Sequence, residues 1–154
     1  LHAAKGLEFD VVCVADLGRA PSAGVPDLLV EGERVGVRLL ELADPEPRPA
    51  LDYAQLAAER REAQAAEEDR IVYVAMTRAR ERLLLSGAVD FASWPRERPG
   101  AAPIAWLGPA LASELSVLCA EAARHGQDRL APVLNVEGTD VPIRCRLNTP
   151  VAAR

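Results

Sequence analysis

Two stretches of the chain carry side chains whose types and spacing suit chemistry. The first, H-A-A-K-G-L-E-F-D-V-V from His2 to Val12, sets Lys5 and Gly6 just ahead of the carboxylate Glu8 and then enters an apolar run. Lys5 is the sole lysine among 18 basic residues; the others are arginine. Gly6 lets the backbone bend or approach a ligand, Lys5 offers a compact ammonium to a phosphate, and Glu8 can accept a hydrogen bond from a sugar hydroxyl or an arginine. The second stretch, E-E-D-R-I-V-Y-V-A-M-T-R-A-R-E-R-L-L-L from Glu67 to Leu85, brings Arg78 to the end of an apolar helical segment, on one face with Ile71 and Val74. A guanidinium projected from a packed surface needs an anion, and the candidates are Glu81, three residues on, or a bound phosphate. The pairing with Glu81 would contribute only about 0.2–0.5 kcal/mol.

The elements that must hold these residues follow from pattern. F-D-V-V-C-V-A-D-L, Phe9 to Leu17, is a β-branched run without alternation and predicts a parallel strand buried on both faces. L-L-V-E-G-E-R-V-G-V-R-L-L-E-L predicts a hairpin turning near Glu31 and Gly32. Pro45, Pro47 and Pro49 mark a non-helical linker. From Asp52, a candidate N-cap, strong helix formers run without Gly or Pro toward Arg78 and predict a helix of roughly 40 Å, solvated in its first half and entering the core as it proceeds. R-L-L-L-S-G-A-V reads as a second buried strand, with Cys13 packed in the first and Tyr73 and Met76 in the core. Beyond the loop W-P-R-E-R-P-G, Ile104, Leu107, Leu111, Leu115 and Leu118 recur at helical spacing, broken or started by Pro109 and stopped near Gly126. A second hairpin is expected around Glu137 to Asp140. Trp94 and Trp106 read as loop anchor or core rather than as platforms for bases.

Composition bounds the rest. Apolar residues at 49% and charged residues at 27% are globular proportions, and 154 residues suffice for a real core. Cys13, Cys119 and Cys145 are odd in number and widely spaced, which supports neither a disulfide framework nor a zinc site and points to a reducing, cytoplasmic setting. No membrane partner is expected. The net charge of −5 is uneven: Asp27 to Asp69 holds twelve acids and five arginines (5 − 12 = −7), whereas Arg70 to Arg98 holds six arginines and three acids (6 − 3 = +3). Any nucleic-acid contact should therefore be narrow. The chain begins at Leu1, inside a motif, and is expected to be a piece of something longer.

Both chemical stretches resemble signature motifs of UvrD/Rep-type superfamily 1 DNA helicases, in the second RecA-like domain. K-G-L-E-F matches the end of motif V, T-x-H-x-x-K-G-L-E-F, and E-E-D-R-I-V-Y-V-A-M-T-R-A matches motif VI, E-E-x-R-x-x-Y-V-A-x-T-R-A. The long segment between them looks more like the AddA/RecB branch of recombination helicase-nucleases. The resemblance covers residues 1 to about 87 well and the tail loosely. It implies an α/β, RecA-like fold: a mostly parallel sheet flanked by helices with peripheral β-hairpins. It implies a domain over residues 1–90 with a hairpin-and-helix insert at about 28–69, and an accessory or linking segment over 91–154. By the same resemblance Arg78 looks like the arginine finger that meets the γ-phosphate of ATP, Glu8 like the motif V acid near the nucleotide, Lys5 and Gly6 like the loop coupling that site to DNA, and His2 like a contact to the DNA backbone.

No G-x-x-x-x-G-K-[ST] loop and no D-E acid pair after an apolar strand occur in these residues. ATP with Mg²⁺ would then be held mainly by a first RecA-like domain of the same parent. The expected partners are that domain, single-stranded DNA or a duplex end, and a nuclease domain or subunit, in DNA repair or recombination. The fragment alone is expected to be inactive. The alternative is a non-catalytic remnant of the helicase fold that binds DNA or a partner.

Overall fold

The run after Glu8 forms β1 (Phe9–Val14), which pairs with β5 (Ala79–Leu85). The Phe9 N–H donates to the Arg78 carbonyl at 2.9 Å at the entrance to both strands, so the two run parallel. The computed structural model describes residues 6–21, 24–41 and 44–148, and these fall into two units, one within 1–14, 20–84 and 98–101, the other within 15–19, 85–97 and 102–154.

In the first unit β2 (Leu28–Glu31), β3 (Arg34–Glu41) and β4 (Asp44–Leu51) form an antiparallel sheet in that order, and α1 (Tyr53–Met76) packs on it and on β1. The β2–β3 hairpin turns at Gly32 and Glu33, with Glu31 opposite Arg34. The proline stretch is a correction: it is not a linker but the edge strand β4. Arg38 donates its N–H to Asp27 at 2.8 Å on the β2 side, so its partner Pro49 occupies a non-hydrogen-bonded position on β4. Pro49 and Pro47, two residues apart, therefore lack only N–H groups that would point to the outer edge.

Asp52 stands at the N-cap of α1, but its carboxylate makes no capping bond. The buried residues of the first turns, Tyr53, Leu56 and Ala57, join Leu29 in the core of this unit. The order of burial expected along α1 is thus reversed. Its first turns lie deepest, where the β2–β4 sheet covers them, while Tyr73 is 64% exposed and Val72 is the buried residue of the I-V-Y-V-A-M segment. Gly36 is what lets α1 start so close to the sheet. A Cβ there would collide with Tyr53 Cα and would lie 2.7 Å from Tyr53 N.

β1 and β5 are also less buried than expected. Phe9 is 44% exposed, Val11 51% and Leu84 54%, and Cys13 is exposed rather than packed. A pair of strands with helix cover along part of its length lacks the flanking layers that bury a full parallel sheet.

In the second unit Leu17, 2% exposed, accepts a backbone bond from Ile104 (2.9 Å) and donates one to Ser86 (3.0 Å). The apolar helical stretch is two helices, α2 (Ile104–Leu111) and α3 (Leu115–Arg124), with a 91° bend between them. Pro109 lies inside α2, and the break comes at Ala112, whose backbone is extended. α3 ends in a Schellman motif: Gln127 N–H donates to Ala122 O (2.8 Å) and Gly126 N–H to Ala123 O (3.2 Å). Leu115, Cys119, Ala122 and Leu147 form the core, with Trp94 packed against it. The strands β6 (Arg129–Leu130) and β9 (Cys145–Arg146) pair antiparallel, as do β7 (Val133–Val136) and β8 (Thr139–Pro142). The latter pair is the expected hairpin, turning at Glu137 and Gly138 with positive φ at both, the signature of a type I′ turn.

Candidate functional site

Parallel pairing of β1 and β5 decides the geometry. Glu8 precedes β1 and Arg78 precedes β5, so two strands entering side by side bring both to one amino-terminal edge. Gly6, at the same edge, has φ +80 and open space where a side chain would stand, a conformation that a residue with a Cβ adopts only with strain. A finger directed toward the carboxyl-terminal edge of the sheet was the expectation, and this is corrected. Both motif loops lead into their strands rather than out of them.

Arg78 is half-buried and folded back on the end of α1. Its Nε donates to Val74 O at 3.3 Å and its Nη2 to Thr77 Oγ1 at 3.4 Å. Thr77 is fixed in turn, its N–H donating to Tyr73 O (3.0 Å) and its hydroxyl to Val74 O (3.0 Å). A guanidinium over the last carbonyls of a helix meets the negative end of the helix dipole. Among the described residues Arg78 forms no ion pair with Glu81, so of the two anions weighed for it the local one is not used.

Glu8 is exposed and lies 4.0 Å from Arg80, whose guanidinium is also 3.7 Å from Asp10. Arg80 is a residue that the sequence pattern missed. Its partners lie some seventy positions away and become neighbours only through the strand pairing. His2 and Lys5 lie outside the described residues.

Elsewhere in the first unit Arg34 grips Glu59 through two bonds of 3.0 and 2.8 Å, and Arg38 reaches Tyr53 Oη at 2.6 Å with its guanidinium over the ring. The hydrogen bonds from Arg34, and then that from Gln55, hold the Glu59 carboxyl below the usual range. In the second unit burial pushes the Cys119 and Cys145 thiols up. Among the described residues no group of three or more His, Cys, Asp or Glu is arranged to hold a metal ion.

The UvrD-like helicase C-terminal domain family model matches residues 1–90. Relatives named as AddA-type components of an ATP-dependent helicase/nuclease include one from Desulforudis audaxviator, 42% identical over 91 residues that make up 57% of this chain and 7% of the relative. One from Lysinibacillus sphaericus is 34% identical over 139 residues, 73% of this chain and 11% of the relative. One from Carboxydothermus hydrogenoformans is 34% identical over 147 residues, 92% of this chain and 12% of the relative. The chain thus spans about a tenth of the length of these relatives. A matched region that takes in both chemical stretches and more than half of the residues settles the assignment: the chain belongs to the UvrD-like helicase C-terminal domain family.

Proposed function

We propose that this chain is part of the second RecA-like half of an ATP-dependent DNA helicase of the AddA helicase/nuclease type, and that Arg78 is its arginine finger. The single observation that carries the reading is the meeting of Gly6, Glu8 and Arg78 at one strand edge, with the backbone bond from Phe9 to Arg78 joining the two motifs. Arg78 can be released for this work. Its present bonds are long and go to neutral oxygens, whereas bonds to a phosphate are charge-assisted and roughly twice as strong. Moving the guanidinium from the helix end onto phosphate oxygens is therefore favourable once a triphosphate is presented to it.

Glu8 complements that role. At 4.0 Å its tie to Arg80 is loose, which leaves the carboxylate oxygens open to a ribose hydroxyl. These residues fit the sugar and phosphate of a nucleotide, while no described cluster fits Mg²⁺; the metal and the phosphate loop belong to the first RecA-like domain of the parent. ATP bound between the halves supplies the charge that builds up as its terminal phosphoryl group transfers, and Arg78 stabilises that charge in a dry cleft. Lys5 and His2 would couple the same loop to single-stranded DNA.

The test is made in the full-length parent. Arg78→Ala is expected to lower DNA-stimulated ATP hydrolysis by about 10³–10⁵-fold, the range for lost arginine fingers, while DNA binding persists. Unchanged turnover would remove the finger role and favour a non-catalytic remnant of the fold.

A further inference from the structure

The three-stranded sheet of the first unit has two edges, and they are built differently. On β4, Pro47 and Pro49 remove the N–H groups that would face outward, so that edge cannot template another strand. The β2 edge has no such protection. Asp27 is hydrogen-bonded to Arg38 of β3, so in the alternating antiparallel pattern Leu29 and Glu31 also bond to β3, while Leu28 and Val30 direct their N–H and C=O groups outward. Leu28 is 60% exposed and Val30 65%. Both side chains stand on the sheet face opposite Leu29, which is buried against α1. Along the same edge runs a groove of about 310 Å³ between β2 and α1, with Leu29, Leu56 and Ala63 in its lining and Glu31, Glu59 and Arg60 at its rim.

We propose that the β2 edge is a strand-addition site for an extended segment of a second protein that alternates apolar and basic residues. Two outward backbone positions would give the pairing, and the groove would take side chains from one face of the incoming strand. Apolar residues on its other face would lie beside Leu28 and Val30. Charge selects the occupant. The segment from Asp27 to Asp69 carries a net −7 (five arginines, twelve acids), so a basic strand is attracted. A second copy of this chain would bring the same acids to the same edge and is disfavoured. The site is separate from the Arg78 edge and does not depend on the reading of Arg78.

The test uses the full chain and a synthetic octapeptide alternating valine and lysine, with its valine–glutamate counterpart as control. The valine–lysine peptide is expected to bind, to slow hydrogen exchange at the Leu28 and Val30 amides, and to bind less tightly as salt rises. Val30→Pro copies on β2 the device already present on β4, since that N–H takes no part in the β2–β3 ladder, and should weaken binding by about tenfold or more. As a check that needs no variant of the protein, N-methylation of one alternate set of peptide amides should abolish binding and that of the other set should spare it. Equal binding of the glutamate peptide, indifference to Val30→Pro, or equal effects of the two methylation patterns would overturn the proposal. So would self-association of the chain through β2, or Leu28 and Val30 amides already protected in the full-length parent, which would assign the edge to a second copy or to the parent itself.

Discussion

At the scale of single residues, the chemistry turns on what each charged group can exchange. Arg78 trades two long bonds to neutral oxygens for a charged ligand, which is why a half-buried arginine at a helix end can serve a mobile cleft. Arg34 and Glu59 are the opposite case, locked by two bonds of 3.0 and 2.8 Å. Because the Glu59 pKa is lowered in the folded chain, its contribution to stability is present above the ordinary glutamate value of about 4.3 and is lost as pH falls through the lowered folded value. Glu59→Gln should therefore flatten the acid limb of a stability-versus-pH curve below about pH 4.3 and leave its shape near pH 7 unchanged, as denaturant unfolding at a series of pH values would read. The effect should shrink in high salt, because both side chains are over a third exposed, at 38 and 42%. The cysteines separate by burial. A maleimide reagent should label exposed Cys13 in the native chain and reach Cys119, 4% exposed, only on unfolding. Mass spectrometry of the labelled peptides checks this.

At the scale of elements, the fit between β3 and α1 is the tightest point of the first unit. Gly36→Ala would drive a methyl group into the Tyr53 backbone, and a cost of about 1–3 kcal/mol is expected from overpacking against atoms that cannot rotate away. Leu56→Ala empties the same core from the other side and should cost about 2–5 kcal/mol. Denaturant midpoints of the two variants measure both. The β4 strand shows how local chemistry can mislead. Prolines exclude helix, and that much was readable, but three of them at alternate positions are also compatible with an edge strand, since every missing N–H points the same way. The bend between α2 and α3 shows a related case. Pro109 tempts one to place the break there, yet it sits within α2, and the chain turns at Ala112 instead.

At the scale of the whole molecule, residues 1–90 match the family model, and the alignment with relatives extends as far as 92% of the chain. The isolated chain is expected to hydrolyse no ATP with or without single-stranded DNA, because its proposed contribution to the reaction is a finger and a sugar contact without a phosphate loop; a phosphate-release assay on purified chain decides this. What the sequence by itself determined is the kinship and the identity of the chemical residues, along with both hairpins and the long helix. Those depend on residue types at short spacing, where turn chemistry and helix propensity act locally. What only the tertiary structure decided is everything that rests on distant partners. The parallel register places Glu8, Arg78 and Arg80 at one edge, and Pro49 becomes harmless only because it lies opposite Arg38. Burial of α1 likewise runs from its first turns because Gly36 admits them to the sheet. Such contacts join residues from fifteen to some seventy positions apart, and no periodicity within either segment encodes which segment will lie beside it.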